Sequence, residues 1–245
     1  MSVEAARLPR WVEGFATRHG GVRARRAGDE VILAAGDGSR AVLTVPFPPL
    51  PCAADAAAAG ANGTRVESIV GADGADAESI VGADGADAES MNIVASLVEH
   101  AEAPRTVLAL LVRRGGFACA VLADGRVTAS AVGRRHVQGR TAAGGWSQQR
   151  FARRREQQAD RLVDAAVEAA AGLLVPAAGS ADVLVTGGDK PLVARSLADR
   201  RLAGLVGLAR GPHLEVPDPR PRVVAELPRM VRLVQVRLEE VADPA

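Results

Sequence analysis

Thr106–Val132, TVLALLVRRGGFACAVLADGRVTASAV, is the stretch on which the fold turns. Three apolar-rich runs stand in it, Thr106–Val112, Phe117–Leu122 and Arg126–Val132. Arg114-Gly115-Gly116 and Ala123-Asp124-Gly125 join them as tight-turn signals, so the stretch reads as an antiparallel meander. Downstream the period changes to that of helices. Ser147 to about Leu174 predicts one long helix with Phe151, Leu162, Val163, Ala166, Val167, Ala170 and Leu173 on its buried side. Asp182–Thr186 follows as a short buried strand. Gly187-Gly188-Asp189 then opens a helix reaching about Asp199. A weaker strand at Leu205–Leu208, a proline-rich 212–221 loop, a helix at Arg222–Pro228 and a last strand at Val231–Leu238 complete the pattern. This order predicts an α/β (α+β) fold, a mixed sheet with flanking helices of the ribonuclease H type.

Outward from that core, the N-terminal region is a separate small unit. Leu8–His19 predicts an amphipathic helix with Leu8, Trp11 and Phe15 on one face, ended by Gly20-Gly21. Val22–Arg26, Glu30–Ala35 and Arg40–Val45 are strand-like, with turns at Gly28-Asp29 and Asp37-Gly38. Pro46, Pro48, Pro49 and Pro51 close the unit, because proline cannot donate to a sheet ladder. Residues 1–50 are therefore expected to form an αβββ module with a structural or docking role. Residues 51–89 are rich in alanine, glycine and aspartate. The eleven-residue unit SIVGADGADAE occurs there twice, at Ser68–Glu78 and Ser79–Glu89. Two copies are too few for a solenoid or a calcium β-roll, so the segment reads as an acidic linker. Met91–Ala101 predicts a helix, and 90–245 is expected to be the main domain.

Between the meander and the long helix lies RRHVQGRTAAGGWSQQRFARRREQQ, Arg134–Gln158. Gly144 and Gly145 let a backbone take positive φ and come close to a ligand. Gln148 and Gln149 do not titrate near neutrality, so neither is a general base. Each offers an acceptor oxygen and two donor hydrogens, which suits holding a water or an oxyanion. From Arg113 to Arg161 there are eleven arginines against three acids, in a chain of net charge +1. Lys190 is the chain's one lysine, so arginine is its default cation, but the clustering is local. It marks a face for a phosphate-bearing partner.

Composition excludes several classes. Aromatics are 2% of the chain and tyrosine is absent, which argues against base stacking of the RRM or OB type. Cys52 and Cys119 lack partners at metal-ligand spacing, so both are expected to be free thiols in a reducing cytoplasm. No apolar leader core is seen in MSVEAARLPRWVEGF, and no run approaches about 18 apolar residues, so neither secretion nor a membrane span is expected. A two-metal nuclease needs converging carboxylates, one of them in the first strand. Thr106–Val112 carries none, and Asp124 and Asp189 read as a turn former and a helix cap. No metal and no cofactor are expected.

His136, Gly144-Gly145, Ser147-Gln148 and the following Gln149-Arg150-Phe151-Ala152-Arg153-Arg154-Arg155-Glu156 resemble the core of the Vms-like release factor family, in its actinobacterial type. That family is related to the catalytic middle domain of archaeal and eukaryotic class 1 release factors. The resemblance covers roughly Pro104 to Glu240. It differs in Trp146, which stands between the glycines and the serine, and in Gln149, which follows Gln148. The spacing from His136 favours Gln148 as the reacting glutamine, with Gln149 the alternative. The resemblance implies a metal-independent peptidyl-tRNA hydrolase, acting with the large ribosomal subunit and its 23S rRNA, monomeric and cytoplasmic. The implied catalytic group is Gln148 or Gln149 with Gly144, Gly145, Ser147 and His136. Arg134, Arg135, Arg140, Arg150, Arg153, Arg154 and Arg155 are the implied RNA contacts. Cleavage of tRNA near its 3′ end and non-catalytic RNA binding are the alternative activities.

Overall fold

The computed structural model describes residues 1–51, 85–134 and 147–239, the side chains of 147–152 excepted. Its elements in chain order are β1 (Ser2–Glu4), α1 (Leu8–His19), β2 (Val22–Ala27), β3 (Glu30–Ala35), β4 (Arg40–Thr44), α2 (Ala88–Glu102), β5 (Val107–Arg113), β6 (Gly116–Ala123) and β7 (Arg126–Arg134). After these come α3 (Ser147–Ala177), β8 (Val183–Gly188), α4 (Lys190–Leu197), β9 (Ala209–Leu214), α5 (Pro221–Met230) and β10 (Leu233–Glu239). Two compact units result, one of Met1–Glu102 with Val234–Ala245, the other of Ala103–Leu233.

In the first unit five strands run in the order β1-β10-β4-β3-β2. The ladders from β10 through β4 and β3 to β2 are antiparallel. Leu8, Val12 and Phe15 of α1 and Val94 and Leu97 of α2 pack with Val31, Leu33, Leu43, Val234 and Val236 in one core. The expected boundary at residue 90 is therefore corrected in two places. Helix α2 belongs to this first unit, because its apolar stripe closes this core. Strand β10 also belongs here, pairing Gln235–Glu239 with Arg40–Thr44. Its alternation of Val234 and Val236 suits any sheet with one open edge and a helix-covered face. The short β1 was not expected from sequence; Met1 and Val236 exchange two hydrogen bonds, 2.9 and 2.8 Å.

The expected linker boundary at 89 is corrected as well. Ala86 bridges Val22. Asp87 then starts α2, its Oδ1 accepting from the Ser90 amide at 2.7 Å. Buried Ser90 is satisfied in turn, its hydroxyl accepting from the Ala24 amide at 2.6 Å. The first repeat copy and most of the second lie outside the described residues.

The second unit carries the sheet β7-β6-β5-β8-β9. The meander β5-β6-β7 is antiparallel, whereas β8 and β9 add parallel to β5. This is the expected mixed sheet, its first strand central. Val107 to Val112 are all buried, as a strand must be when helices cover both faces. Leu108, Leu110 and Val112 meet α3 and α4 through Leu162, Ala166, Val167, Ala170, Leu192 and Val193. Helix α5 packs against β7 and β6. The weak strand expected at Leu205–Leu208 is instead preceded by a 3-10 turn at Arg200–Leu205, and the strand lies at Ala209–Leu214. It includes Pro212, which an edge strand tolerates. By length and composition, Arg153–Ser180, which is most of α3 with the 3-10 turn that follows it, contains a window apolar enough to cross a membrane. Alanine supplies much of that apolar character, and Leu162, Ala166, Val167, Ala170 and Leu174 pack on the sheet.

Cys119 is fully buried under α3, and burial pushes its thiol up to about 12, so it is unreactive at neutral pH. Cys52 lies outside the described residues. Asp87 has its carboxyl held below the usual range by the hydroxyl and amide of Ser90. A depressed carboxylate contributes stability above its unfolded pKa and loses it as pH falls through the folded one. Asp87→Ala is expected to lower unfolding free energy by about 1 kcal/mol at neutral pH. In denaturant titrations the deficit should shrink in acid, once the wild-type carboxyl is protonated. A deficit of unchanged size at low pH would refute the capping role.

Candidate RNA-facing site at one end of the mixed sheet

The register of the second sheet decides where the basic segment leaves it. Arg113 pairs Gly116, and Gly116 pairs Arg134. On the other side of β5, Val112 lies beside Gly188. The ends of β7, β5 and β8 are therefore aligned along one edge of the sheet. Arg134, Arg113, Arg114 and Asp189 collect there.

Helix α3 starts beyond this edge. Its 31 residues make a rod of about 46 Å at 1.5 Å per residue. Among the described side chains the first fully buried one is Leu162, about 22 Å along the axis from Ser147. From Arg153 to Arg161 every residue is exposed or half-buried. The reason is sequence: RRREQQADR offers the sheet nothing to bury except Ala159. The first turns of α3 thus project from the core as a cationic rod.

Of the sequence-predicted residues, His136, Arg135, Arg140, Gly144 and Gly145 lie outside the described residues. Ser147, Gln148, Gln149 and Arg150 form the first turn of α3, and their side chains are likewise outside the description. Arg134 is exposed at the end of β7, and Arg153 and Arg154 are exposed on α3. Arg155 differs from its neighbours. It is half-buried and shares a helix face with Ala159, Leu162 and Ala166, whereas Arg153 and Arg154 are exposed.

Arg155 turns into a cleft of about 420 Å³ between α3, α4 and the β5–β6 turn, whose charged rim also holds Arg114, Glu156, Asp189 and Arg195. Sequence reading missed this cleft. Asp189 occupies the N-cap of α4 but makes no capping hydrogen bond. It lies 4.0 Å from Arg114 Nε, so the helix-cap role expected from sequence is corrected. The Asp189 amide donates to the Val112 carbonyl at 2.8 Å, which ties the start of α4 to the end of β5. Asp124 does form the β6–β7 turn as expected, with φ 50°. On α4, Arg195 pairs with Asp160 of α3. Among the described residues no group of three or more His, Cys, Asp or Glu side chains is arranged to hold a metal ion.

His213, at the end of β9, was not singled out by sequence. Its Nε2 lies 3.0 Å from the Gly188 carbonyl and its Nδ1 3.0 Å from the Thr186 hydroxyl. A carbonyl only accepts, so Nε2 carries the proton and donates, and Nδ1 accepts from Thr186 in the neutral ring. This bond pins the peptide that aims Asp189. Gly188 itself has φ 91°, and a Cβ there would lie 2.3 Å from the Val112 carbonyl oxygen. Gly188→Ala is therefore expected to cost about 1–3 kcal/mol in unfolding free energy. Stability within 0.5 kcal/mol of wild type, roughly the effect of a neutral surface change, would show that the strand end is not so constrained.

With this geometry in hand, the comparisons with known proteins identify the unit. The family model described as Actinobacteria/chloroflexi VLRF1 release factor matches residues 105–237, more than half of the chain. The match takes in the mixed sheet, α3 with its basic first turns, and β10 as far as Arg237. Comparison with curated proteins found no match. A mixed sheet with a central first strand, a basic helix leaving its edge and the family match agree: the chain belongs to the VLRF1 release-factor family, and its role is release-factor-like and tied to the ribosome.

Proposed function

We propose that this chain is a metal-independent peptidyl-tRNA hydrolase that frees nascent chains from tRNA on stalled large ribosomal subunits, acting as a cytoplasmic monomer. One observation carries the reading. In a release-factor family member, Ser147 and Gln148 open a helix whose first fully buried residue, among the described ones, is Leu162. A glutamine carried about 10 Å along the helix axis beyond half-buried Arg155, on a cationic stretch of helix, is suited to reach into a deep, RNA-walled site, which a residue seated on the sheet is not.

In this reading Gly144 and Gly145 allow the loop backbone a close approach to RNA. Gln148 uses its carbonyl oxygen and amide hydrogens to orient a water, or the terminal tRNA hydroxyl, against the ester carbon. The water oxygen bonds to that carbon, the bond to the ribose oxygen breaks, and a proton passes to the departing ribose oxygen. Ser147 and His136 support the loop, and Gln149 is the alternative reacting residue. Arg134, Arg135, Arg140, Arg150, Arg153 and Arg154 hold phosphates. Placement and stabilisation of the tetrahedral oxyanion supply most of the rate.

Single-turnover release from purified stalled large-subunit complexes tests this, with free peptide and tRNA length resolved on one gel. Gln148→Ala is expected to slow release by about 10²–10³ with binding unchanged, because the group acts in the transition state. Gln149→Ala should be milder, and Gly145→Ala inactive through loop geometry. Wild-type release by both glutamine variants would leave RNA binding without catalysis. A shortened tRNA would mean cleavage near its 3′ end.

A second measurement addresses binding. Neutralising exposed Arg153 and Arg154 should reduce the slope of log affinity against log salt by roughly 0.7–0.9 per lost phosphate contact. An unchanged slope would assign them to a solvated face.

A further inference from the structure

We infer that the cleft between α3, α4 and the β5–β6 turn is a nucleotide-binding subsite, taking one unit of single-stranded RNA with its phosphate on Arg114 and Arg155. That this RNA is the one handled in release rests on the function proposed above. The chemistry of the cleft does not.

The volume of about 420 Å³ lies in the range of small-ligand sites. Its floor is aliphatic: Ala159 and Leu162 from α3, Pro191 and Leu192 from α4. Leu162 is fully buried and Leu192 nearly so, so the floor is rigid. Above it stand three guanidinium groups and two carboxylates. This combination poorly suits a bare ion. An aliphatic floor offers nothing to a hydrated cation, and the carboxylates oppose a simple anion. It suits a ligand that joins an anionic group, hydroxyl donors and a flat body of low polarity. A nucleotide has all three.

Each rim group has a separate part. Arg195 is already held by Asp160, so it stiffens the wall. Among the described residues Arg155 makes no ion pair, which leaves its fork for a phosphate. Arg114 is 70% exposed and sits at the 4.0 Å limit of pairing with Asp189, so it can turn to the same phosphate. Asp189 makes no helix-capping bond, and its carboxylate is placed to accept from ribose hydroxyls. The base then lies on Leu162, Pro191 and Leu192, with guanidinium planes available for stacking. The Gly188–His213 bond fixes the strand end that carries Asp189. The cleft opens at the sheet edge from which Arg134 and the first turns of α3 depart, so a strand passing the basic rod would reach it.

The test is a titration of the full chain, with leucine methyls observed by NMR, using 5′-AMP, adenosine and inorganic phosphate as probes. AMP is expected to shift the Leu162 and Leu192 methyls. Adenosine and phosphate should each bind more weakly than AMP. Arg114→Ala and Arg155→Ala should each weaken AMP by about tenfold or more, the loss of a charge-assisted hydrogen bond. Arg25→Ala, exposed on β2 of the first unit, should leave AMP binding as it is. The ligand-free methyl spectrum checks that each variant is folded, and Arg114 lies on a turn where substitution removes no core contact. AMP that moves neither leucine overturns the inference, as does equal binding by the Arg155→Ala variant. Phosphate that competes as well as AMP without touching the leucines also overturns it, reducing the cleft to an anion site. Because no ribosome is present, loss of Gln148-dependent release would leave this result standing, and failure here would leave the release reading intact.

Discussion

Strand β5 is the constraint on which the second unit depends. It is central, antiparallel to β6 on one side and parallel to β8 on the other. Thr106 and Asp182 lock its start to β8: the Thr106 amide donates to Asp182 Oδ2 at 2.7 Å and the Asp182 amide donates to the Thr106 carbonyl at 2.9 Å. With six consecutive apolar residues buried, each contributing roughly 1.5–3 kcal/mol as an upper estimate, a one-residue slip would cost most of that packing and is disallowed. Fixing this register fixes where β7 ends and where β8 ends. It therefore fixes the edge at which Arg134, Arg114 and Asp189 gather.

The second determinant is the division of labour along α3. Its C-terminal half is a core helix, with Leu162, Ala166, Val167, Ala170 and Leu174 laid against the sheet. From Arg153 to Arg161 it has no such stripe; the Asp160–Arg195 pair, Ala159 at the margin of the core and the anchored half keep it in line. Isolated helices of that length are marginal in water, so continuity with the packed half is what extends the rod. Function and stability are thereby separated along one element. Arg153 and Arg154 are exposed to solvent, and the residues of the buried stripe carry no charge.

Much of this was legible in the sequence. The meander was readable from Thr106–Val132 because its turns are short and their chemistry is local. The start of α3 was readable at Ser147 because the loop glycines end just before a long period of 3.6. The basic character of the segment was a matter of counting. Three things were not readable. Arg155 looked like Arg153 and Arg154, since the three differ only in helical phase relative to a face whose position the sheet sets. Asp189 looked like a helix cap because it stands at the right offset, yet its amide is drawn to Val112 and its carboxylate to Arg114. The end of the second repeat copy looked like linker, yet Gly85 and Ala86 pair with Val22 and Asp87 caps α2.

By itself the sequence determined the local elements, the order of the strands and helices, the clustered charge and the family signature, because each depends on residues close together in the chain. The tertiary structure decided which sheet each strand joins. Leu233–Glu239 and Ala88–Glu102 follow periodic patterns that would suit either unit, and only the open edge beside β4 and the uncovered core under α1 and α2 assign them to the first. It also decided the cleft, whose rim draws Arg114, Arg155, Asp189 and Arg195 from positions up to 81 residues apart. Burial and charge pairing are set by neighbours in space, and a strand's pattern records that one face is buried without recording against what.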